Sequence, residues 1–293
     1  MVKSLEFIGT DNKINYIIGN TVLEQNLLAR RFEFSSNKIN VLFGPNASGK
    51  STIIKAISSY CLCGDKSNND GLTNMFKYEP LDFIKDFWED TKCSMRDVIT
   101  ESAGNQVDIE WDGGFVYNDN FSKRRGHSIG DLTGSILDDV GEELHYMFGK
   151  DKSSLGQLSI FMINKITKLC TSEIKFSDMV KRYEKRINSV NDSWANAYKQ
   201  QYEYLSKFHK DDNCQMTVLL DEIDKSLDIN NIIKLYTIVL PQLIKKYNVQ
   251  IILVSHSPII LSDSIFNSED YNIISLDENY TKTTRENLLT IFK

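Results

Sequence analysis

The chain has 293 residues, 41% of them hydrophobic and 25% charged, with a net charge of −6. This composition excludes wholesale disorder, and no apolar run approaches the roughly 18 residues that a membrane-spanning helix needs. The acidic balance excludes a blanket nucleic-acid coat but leaves local basic patches open.

The N-terminal stretch MVKSLEFIGTDNKINYIIGN has no long apolar core, so no secretory signal is visible. Residues 3 to 8 and 29 to 34 read as short strands, and Asn40 to Phe43 as a buried one. Helical spacing follows from Ser51 to Tyr60, carried by Ile53, Ile54, Ala56 and Ile57. From Cys61 to about Gly104 the chain turns polar, with SNNDG as a loop signal. VDIEWDGGFVYND predicts two strands joined by a turn at Asp112-Gly113-Gly114.

From Ser177 to His209 the apolar residues Val180, Tyr183, Ile187, Val190, Trp194, Tyr198, Tyr202 and Leu205 recur in steps of three and four. That predicts one long amphipathic helix. Between Lys165 and Lys210 ten Lys or Arg face five Asp or Glu, so the region is locally basic. Lys181, Arg182, Lys185 and Arg186 could meet nucleic-acid phosphates or an acidic partner, or form a solvated face above a packed apolar stripe.

MTVLLDEID (216–224) and VQIILVSHSP (249–258) are apolar runs ending in polar residues, with helical periodicity between them from Leu227 to Lys246. Strand, helix, strand of this purity predicts a parallel sheet covered on both faces. Cys61, Cys63, Cys93, Cys170 and Cys214 form no CxxC pair, and the four histidines show no metal-ligand spacing. Free thiols of this kind fit a reducing cytosol, so a cytoplasmic location is expected, with no membrane partner.

Chemistry concentrates in three places. Gly44-Pro45-Asn46-Ala47-Ser48-Gly49-Lys50-Ser51, followed by Thr52, fits G-x-x-x-x-G-K-[ST] between a buried strand and a helix. The glycines let successive backbone N–H groups face phosphates, and the helix N-terminus adds a favourable dipole. Lys50 would sit near the β- and γ-phosphates of ATP, and Ser51 would offer its hydroxyl to Mg²⁺. At the end of the second buried strand, Asp221 could hold the metal shell while Glu222 orients or deprotonates an attacking water. His256 ends the next strand and is sited to reach a γ-phosphate. Two adjacent carboxylates point to hydrolysis, since a kinase needs no water-activating base.

Taken in order, the loop, the Asp-Glu strand, Ser226-Leu227-Asp228 and His256 resemble the ABC-type ATPase superfamily. GPNASGKST, with its Asn46, is closer to the SMC- and RecF-like class and to ATPase subunits of phage-defence systems. Those include the Septu, retron-associated and PARIS types and overcoming-lysogenisation-defect proteins without their Toprim nuclease. The resemblance implies an α/β P-loop NTPase, an ABC-type head with a mixed sheet core and a helical lobe. It forms one ATPase domain over 1–293: residues 1–125 and 211–293 make the nucleotide-binding lobe, and 126–210 the helical lobe with the inserted amphipathic helix. It also implies a signature motif, best matched by Ser153-Ser154-Leu155-Gly156-Gln157. There Ser154, Gly156 and Gln157 would complete the ATP site of a second copy in a head-to-tail dimer; a helix N-cap explains Ser153 or Ser154 equally well.

Two departures stand out. Gln157 and Met216 are separated by 58 residues, and no glutamine marks a Q-loop. FVYNDNF (115–121) takes a similar place, where Asn118 or Asn120 would reach the metal or merely end a strand. Only 37 residues follow His256, too few for a Toprim nuclease, so a separately encoded nuclease or toxin is the expected effector. The function expected is an ATP-hydrolysing dimeric switch in anti-phage defence or DNA repair. The alternative, an ABC transporter ATP-binding subunit, requires the missing Q-loop and a short signature-to-strand spacing; a GTPase would require NKxD.

Overall fold

A computed structural model describes residues 1–7, 21–28, 30–62, 107–120, 215–224, 227–263, 265–266 and 269–291, with isolated positions between 160 and 206. In chain order the elements are β1 (Val2–Phe7), α1 (Thr21–Leu27), β2 (Arg31–Glu33), β3 (Ile39–Phe43), α2 (Lys50–Leu62), β4 (Val107–Trp111), β5 (Phe115–Asn120) and β6 (Met216–Asp221). Then come α3 (Ile229–Lys234), a π-helical segment (Leu235–Val239), α4 (Leu240–Lys246), β7 (Val249–Val254), a 3₁₀ turn (Pro258–Leu261), β8 (Tyr271–Ser275) and α5 (Glu278–Ile291).

Every residue of β3, β6 and β7 is buried, as unbroken apolar runs require when both faces of a sheet are covered. These strands form the centre of a parallel sheet of order β5-β6-β7-β3-β8. A second, antiparallel sheet has the order β2-β1-β4. The expected mixed core is thus two sheets, each of one kind, among the described residues. Helix α2 buries Ile53, Ile54, Ile57 and Cys61 and packs against strands of both.

The two strands around Asp112-Gly113-Gly114 are present, but they do not pair as a hairpin. Leu5 stands opposite Ile109 in the antiparallel sheet, whereas Asn120 stands opposite Asp221 in the parallel one. The turn instead hands the chain from one sheet to the other. Gly113 has φ +84°, and a Cβ at Gly114 would lie 2.7 Å from the Gln215 carbonyl oxygen, so the second glycine lets β5 start against that backbone.

The helical stretch predicted from Leu227 to Lys246 is interrupted by the π-helical segment, and Pro241 accounts for its hydrogen bonding. The Leu240 N–H reaches back five residues to the Leu235 carbonyl. Its successor, Pro241, has no N–H to give the Tyr236 carbonyl, and the Tyr271 hydroxyl donates there instead. Tyr236, Phe266 and Tyr271 pack edge to face around this point, with centroids 5.8–6.4 Å apart.

The long basic helix predicted over 177–209 is corrected in one respect. Val180, Lys181 and Glu184 are helical, with Val180 buried and the other two exposed, but Asn188 lies in a turn, so one unbroken helix does not run through it. Asn188 carries a short polar side chain that competes with helical backbone hydrogen bonds. Ser206, further along, is helical and half-buried; the rest of that region, and Ser154, Gly156 and Gln157, lie outside the described residues. Helices α1 and α5 and strand β8 were not anticipated from the sequence.

Candidate functional site

Strands β3, β6 and β7 are parallel neighbours, so their C-terminal ends open at one edge of the sheet. The polar residues that end each apolar run meet there. The loop after β3 curls through Ala47 (φ +60°) and Gly49 (φ +100°) before α2 begins at Lys50. A Cβ on Gly44 would lie 2.9 Å from Ser48 Oγ, and one on Gly49 would lie 2.8 Å from Leu27 Cδ1. Both glycines are therefore demanded by close approach, and Gly49 also by its backbone angle.

Lys50 is buried beneath this loop, and its Nζ donates to the carbonyls of Gly44 (2.8 Å) and Pro45 (2.6 Å). Burial pushes its ammonium below the usual lysine range, while Asp221 and Glu222 oppose that shift. Ser48 Oγ is buried with no hydrogen-bond partner among the described residues. A side-chain-free cradle, a buried ammonium and the start of a helix of thirteen residues fit a polyphosphate.

Ser51 Oγ donates to Asp221 Oδ1 at 3.2 Å, which joins the first residues of α2 to the end of β6. Among the described residues no group of three or more His, Cys, Asp or Glu side chains could hold a metal unaided. A Mg²⁺ ion here would draw on one hydroxyl, one carboxylate, phosphate oxygens and water. Register places Asn120, rather than Asn118, at the level of Asp221 on the adjoining strand.

Glu222 follows with φ +58°, a left-handed conformation that costs a residue with a Cβ about 1–3 kcal/mol. Its Oε1 lies 3.3 Å from His256 Nε2. Burial, then the Lys50 charge, hold the imidazole below its usual range, against the pull of Glu222, Asp224 and Asp221. These causes favour the neutral ring, in which the contact with Glu222 is a polar one rather than a full ion pair. Asp228 N-caps α3, its Oδ1 accepting the Asn231 N–H at 3.0 Å, which lowers its pKa; Ser226 lies outside the described residues.

The geometry thus brings together the loop, Asp221, Glu222 and His256. It also brings in residues that sequence reasoning passed over. Leu27 of α1 packs on Gly49, and Asn26 Nδ2 donates to the Ser48 carbonyl at 3.2 Å. Arg30 donates to the Ser275 carbonyl at 2.8 Å and lies over the Phe32 ring. Asp224 is buried between Tyr236 and Ser255. No periodicity marks such residues; only their contacts do.

A strand–loop–helix cradle with a Lys, a Ser, and an Asp-Glu pair on a neighbouring parallel strand defines a P-loop ATPase fold. The AAA domain family matches residues 27–286, and the chain belongs to that family. Its members are ATP-binding ATPases that act with Mg²⁺. No curated protein matches the sequence. Among solved structures the chain is similar to a metal-chelate type ABC transporter in an inward-facing conformation, with 15% identity, 99% of this chain and 88% of that chain covered, and a TM-score of 0.36. Among the described residues no helix is long and apolar enough to cross a membrane.

Proposed function

We propose that the chain is an ATP-driven dimeric switch that controls a separately encoded nuclease or toxin, or engages nucleic acid, in anti-phage defence or DNA repair. One observation carries the reading. Ser51 meets Asp221 at 3.2 Å while, one residue on, Glu222 meets His256 at 3.3 Å. A metal-holding pair and a water-handling pair therefore adjoin at one sheet edge.

In this reading Lys50 and the backbone N–H groups of residues 44–52, all but that of Pro45, which has none, bind the triphosphate, and Ser51 and Asp221 hold Mg²⁺. The ion, when bound, screens the phosphate charge. Glu222 orients the attacking water and accepts its proton; neutral His256 donates to a γ-phosphate oxygen and so distinguishes ATP from ADP. Ser154, Gly156 and Gln157 of a second copy close over the nucleotide, so that the γ-phosphate holds the dimer shut and hydrolysis releases it.

The 58 residues between Gln157 and Met216, locally basic, support an output other than transport. The exposed Lys181 beside the buried Val180 agrees with a basic face that could meet phosphates.

The test is Glu222→Gln with saturating ATP and Mg²⁺. Hydrolysis should fall by at least about 100-fold, ATP should stay bound, and sedimentation should show a dimer that dissociates with ADP. A variant that binds ATP and remains monomeric removes the head-to-tail arrangement.

A further inference from the structure

The loop carrying His256 is pinned on both sides of that residue by one hydroxyl. Ser255 Oγ donates to Asp224 Oδ2, and accepts the Ser257 N–H at 3.1 Å. A serine hydroxyl has one proton, so committing it to a carboxylate turns the lone pairs toward a donor. Ser255 and Asp224 are both buried, at 0% and 2% exposure, so this arrangement does not compete with bulk water.

Asp224 is held from its other side as well. Tyr236, fully buried in the π-helical segment, donates its hydroxyl to the same Oδ2 at 2.8 Å. The Tyr236 backbone is in turn held by Tyr271, through the carbonyl that Pro241 leaves without a helical donor. Oδ1 of Asp224 is buried with no partner among the described residues. Both hydroxyls converge on Oδ2, the oxygen through which the carboxylate holds Ser255.

We propose that Asp224 is a positioning residue for hydrolysis: through Ser255 it fixes the loop that sets the His256 imidazole against Glu222. The inference rests on His256 meeting the γ-phosphate, and it assigns the acidic residue three positions beyond Asp221 to the switch loop rather than to the metal. Asp224 touches no reacting atom; it acts through His256. Burial holds its carboxyl above the usual carboxylate range, against the hydroxyl donors and the nearby imidazole.

Steady-state ATP hydrolysis by the full chain with Mg²⁺ tests this. Ser255→Ala should lower kcat about tenfold, the scale of a slightly misplaced catalytic group, with the KM for ATP little changed and the melting temperature lowered by the loss of a donor to buried Asp224. In a His256→Ala background the same change should have no further effect, because both act through one imidazole. Asp224→Asn can accept both hydroxyl protons on its carbonyl oxygen and should retain most of the wild-type kcat, whereas Asp224→Ala should follow Ser255→Ala. If His256→Ala loses kcat while Ser255→Ala does not, or if the two losses multiply in full, the positioning role is overturned alone. If His256→Ala leaves kcat unchanged, the reading of His256 falls and this proposal falls with it.

Discussion

Gln250 pairs with both backbone groups of Val2. Its Oε1 accepts the Val2 N–H at 2.8 Å and its Nε2 donates to the Val2 carbonyl at 2.7 Å. The Thr217 hydroxyl donates to the same Oε1 at 3.0 Å, and Nε2 also reaches the Ser35 carbonyl at 3.2 Å. One side chain from β7 thereby stands in for a strand partner and joins the start of β1, in the antiparallel sheet, to the centre of the parallel one. Gln250→Leu should strip partners from buried backbone and hydroxyl groups and destabilise the fold by about 2–4 kcal/mol. Urea unfolding monitored by circular dichroism would show it as a lower midpoint at unchanged slope; a midpoint equal to wild type would mean that the two sheets are held elsewhere.

Gly49 and Leu27 set the shape of the phosphate loop. Gly49→Ala places a methyl within 2.8–3.0 Å of the Leu27 side chain and holds alanine at φ +100°. Nucleotide affinity should fall at least about tenfold, from a backbone penalty of roughly 1–2 kcal/mol together with displacement of α1. Adding Leu27→Ala removes the collision and leaves the backbone penalty, so the double variant should regain only the part of the affinity lost to displacement of α1, while the truncation of buried Leu27 lowers its stability further. Titration with a fluorescent ATP analogue separates the two contributions.

The strands bearing the chemistry were legible because physics writes them plainly. MTVLLDE and VQIILVSH are apolar up to the sheet edge and polar beyond it, and Asp221, Glu222 and His256 stand together there. Gly44 and Gly49 were legible because they fall at the glycine positions of G-x-x-x-x-G-K-[ST], and at Gly49 a φ of +100° disfavours a side chain. The sheet partners of β4 and β5 were not, since Asp112-Gly113-Gly114 between two strands reads the same for a hairpin as for a passage between sheets. Gln250, Asn40 and Thr217 were hidden inside apolar runs, although Asn40 accepts the Ser35 N–H at 2.7 Å and donates to the Ile251 carbonyl at 3.0 Å. Asp224 carried no signal of its own because its partners, Tyr236 and Ser255, come from two distant segments. Ser154, Gly156, Gln157 and most of 177–209 lie outside the described residues.

Ser51 and Asp221 predict a separation between nucleotide and metal binding. Ser51→Ala removes a hydroxyl that now donates to Asp221 Oδ1 and, in the proposed complex, turns to Mg²⁺. Hydrolysis measured against Mg²⁺ concentration should need about tenfold more metal, in line with the loss of a ligand from a site with few protein ligands. ATP affinity in EDTA should be unchanged, because Lys50 and the loop backbone remain. Equal metal dependence in variant and wild type would remove Ser51 from the metal shell.

Asp224 predicts a pH dependence of stability with a definite sign. Its carboxyl is held above the usual carboxylate range, chiefly by burial and against donors from Ser255 and Tyr236 and the charge on His256. The folded state therefore binds more protons than the unfolded chain between the unfolded pKa of 3.8 and the raised value. In that window the contribution of Asp224 to stability is lost as pH rises. Asp224→Asn removes this titration while its carbonyl oxygen keeps both accepted bonds. His256 is coupled to Asp224, and removing the Asp224 charge lowers its pKa further, which disfavours the folded variant on acidification and so acts in the same direction. On acidification toward the unfolded pKa of 3.8, the wild-type melting temperature should rise relative to that of Asp224→Asn. Parallel curves across that range would show that the buried carboxyl does not carry the raised pKa.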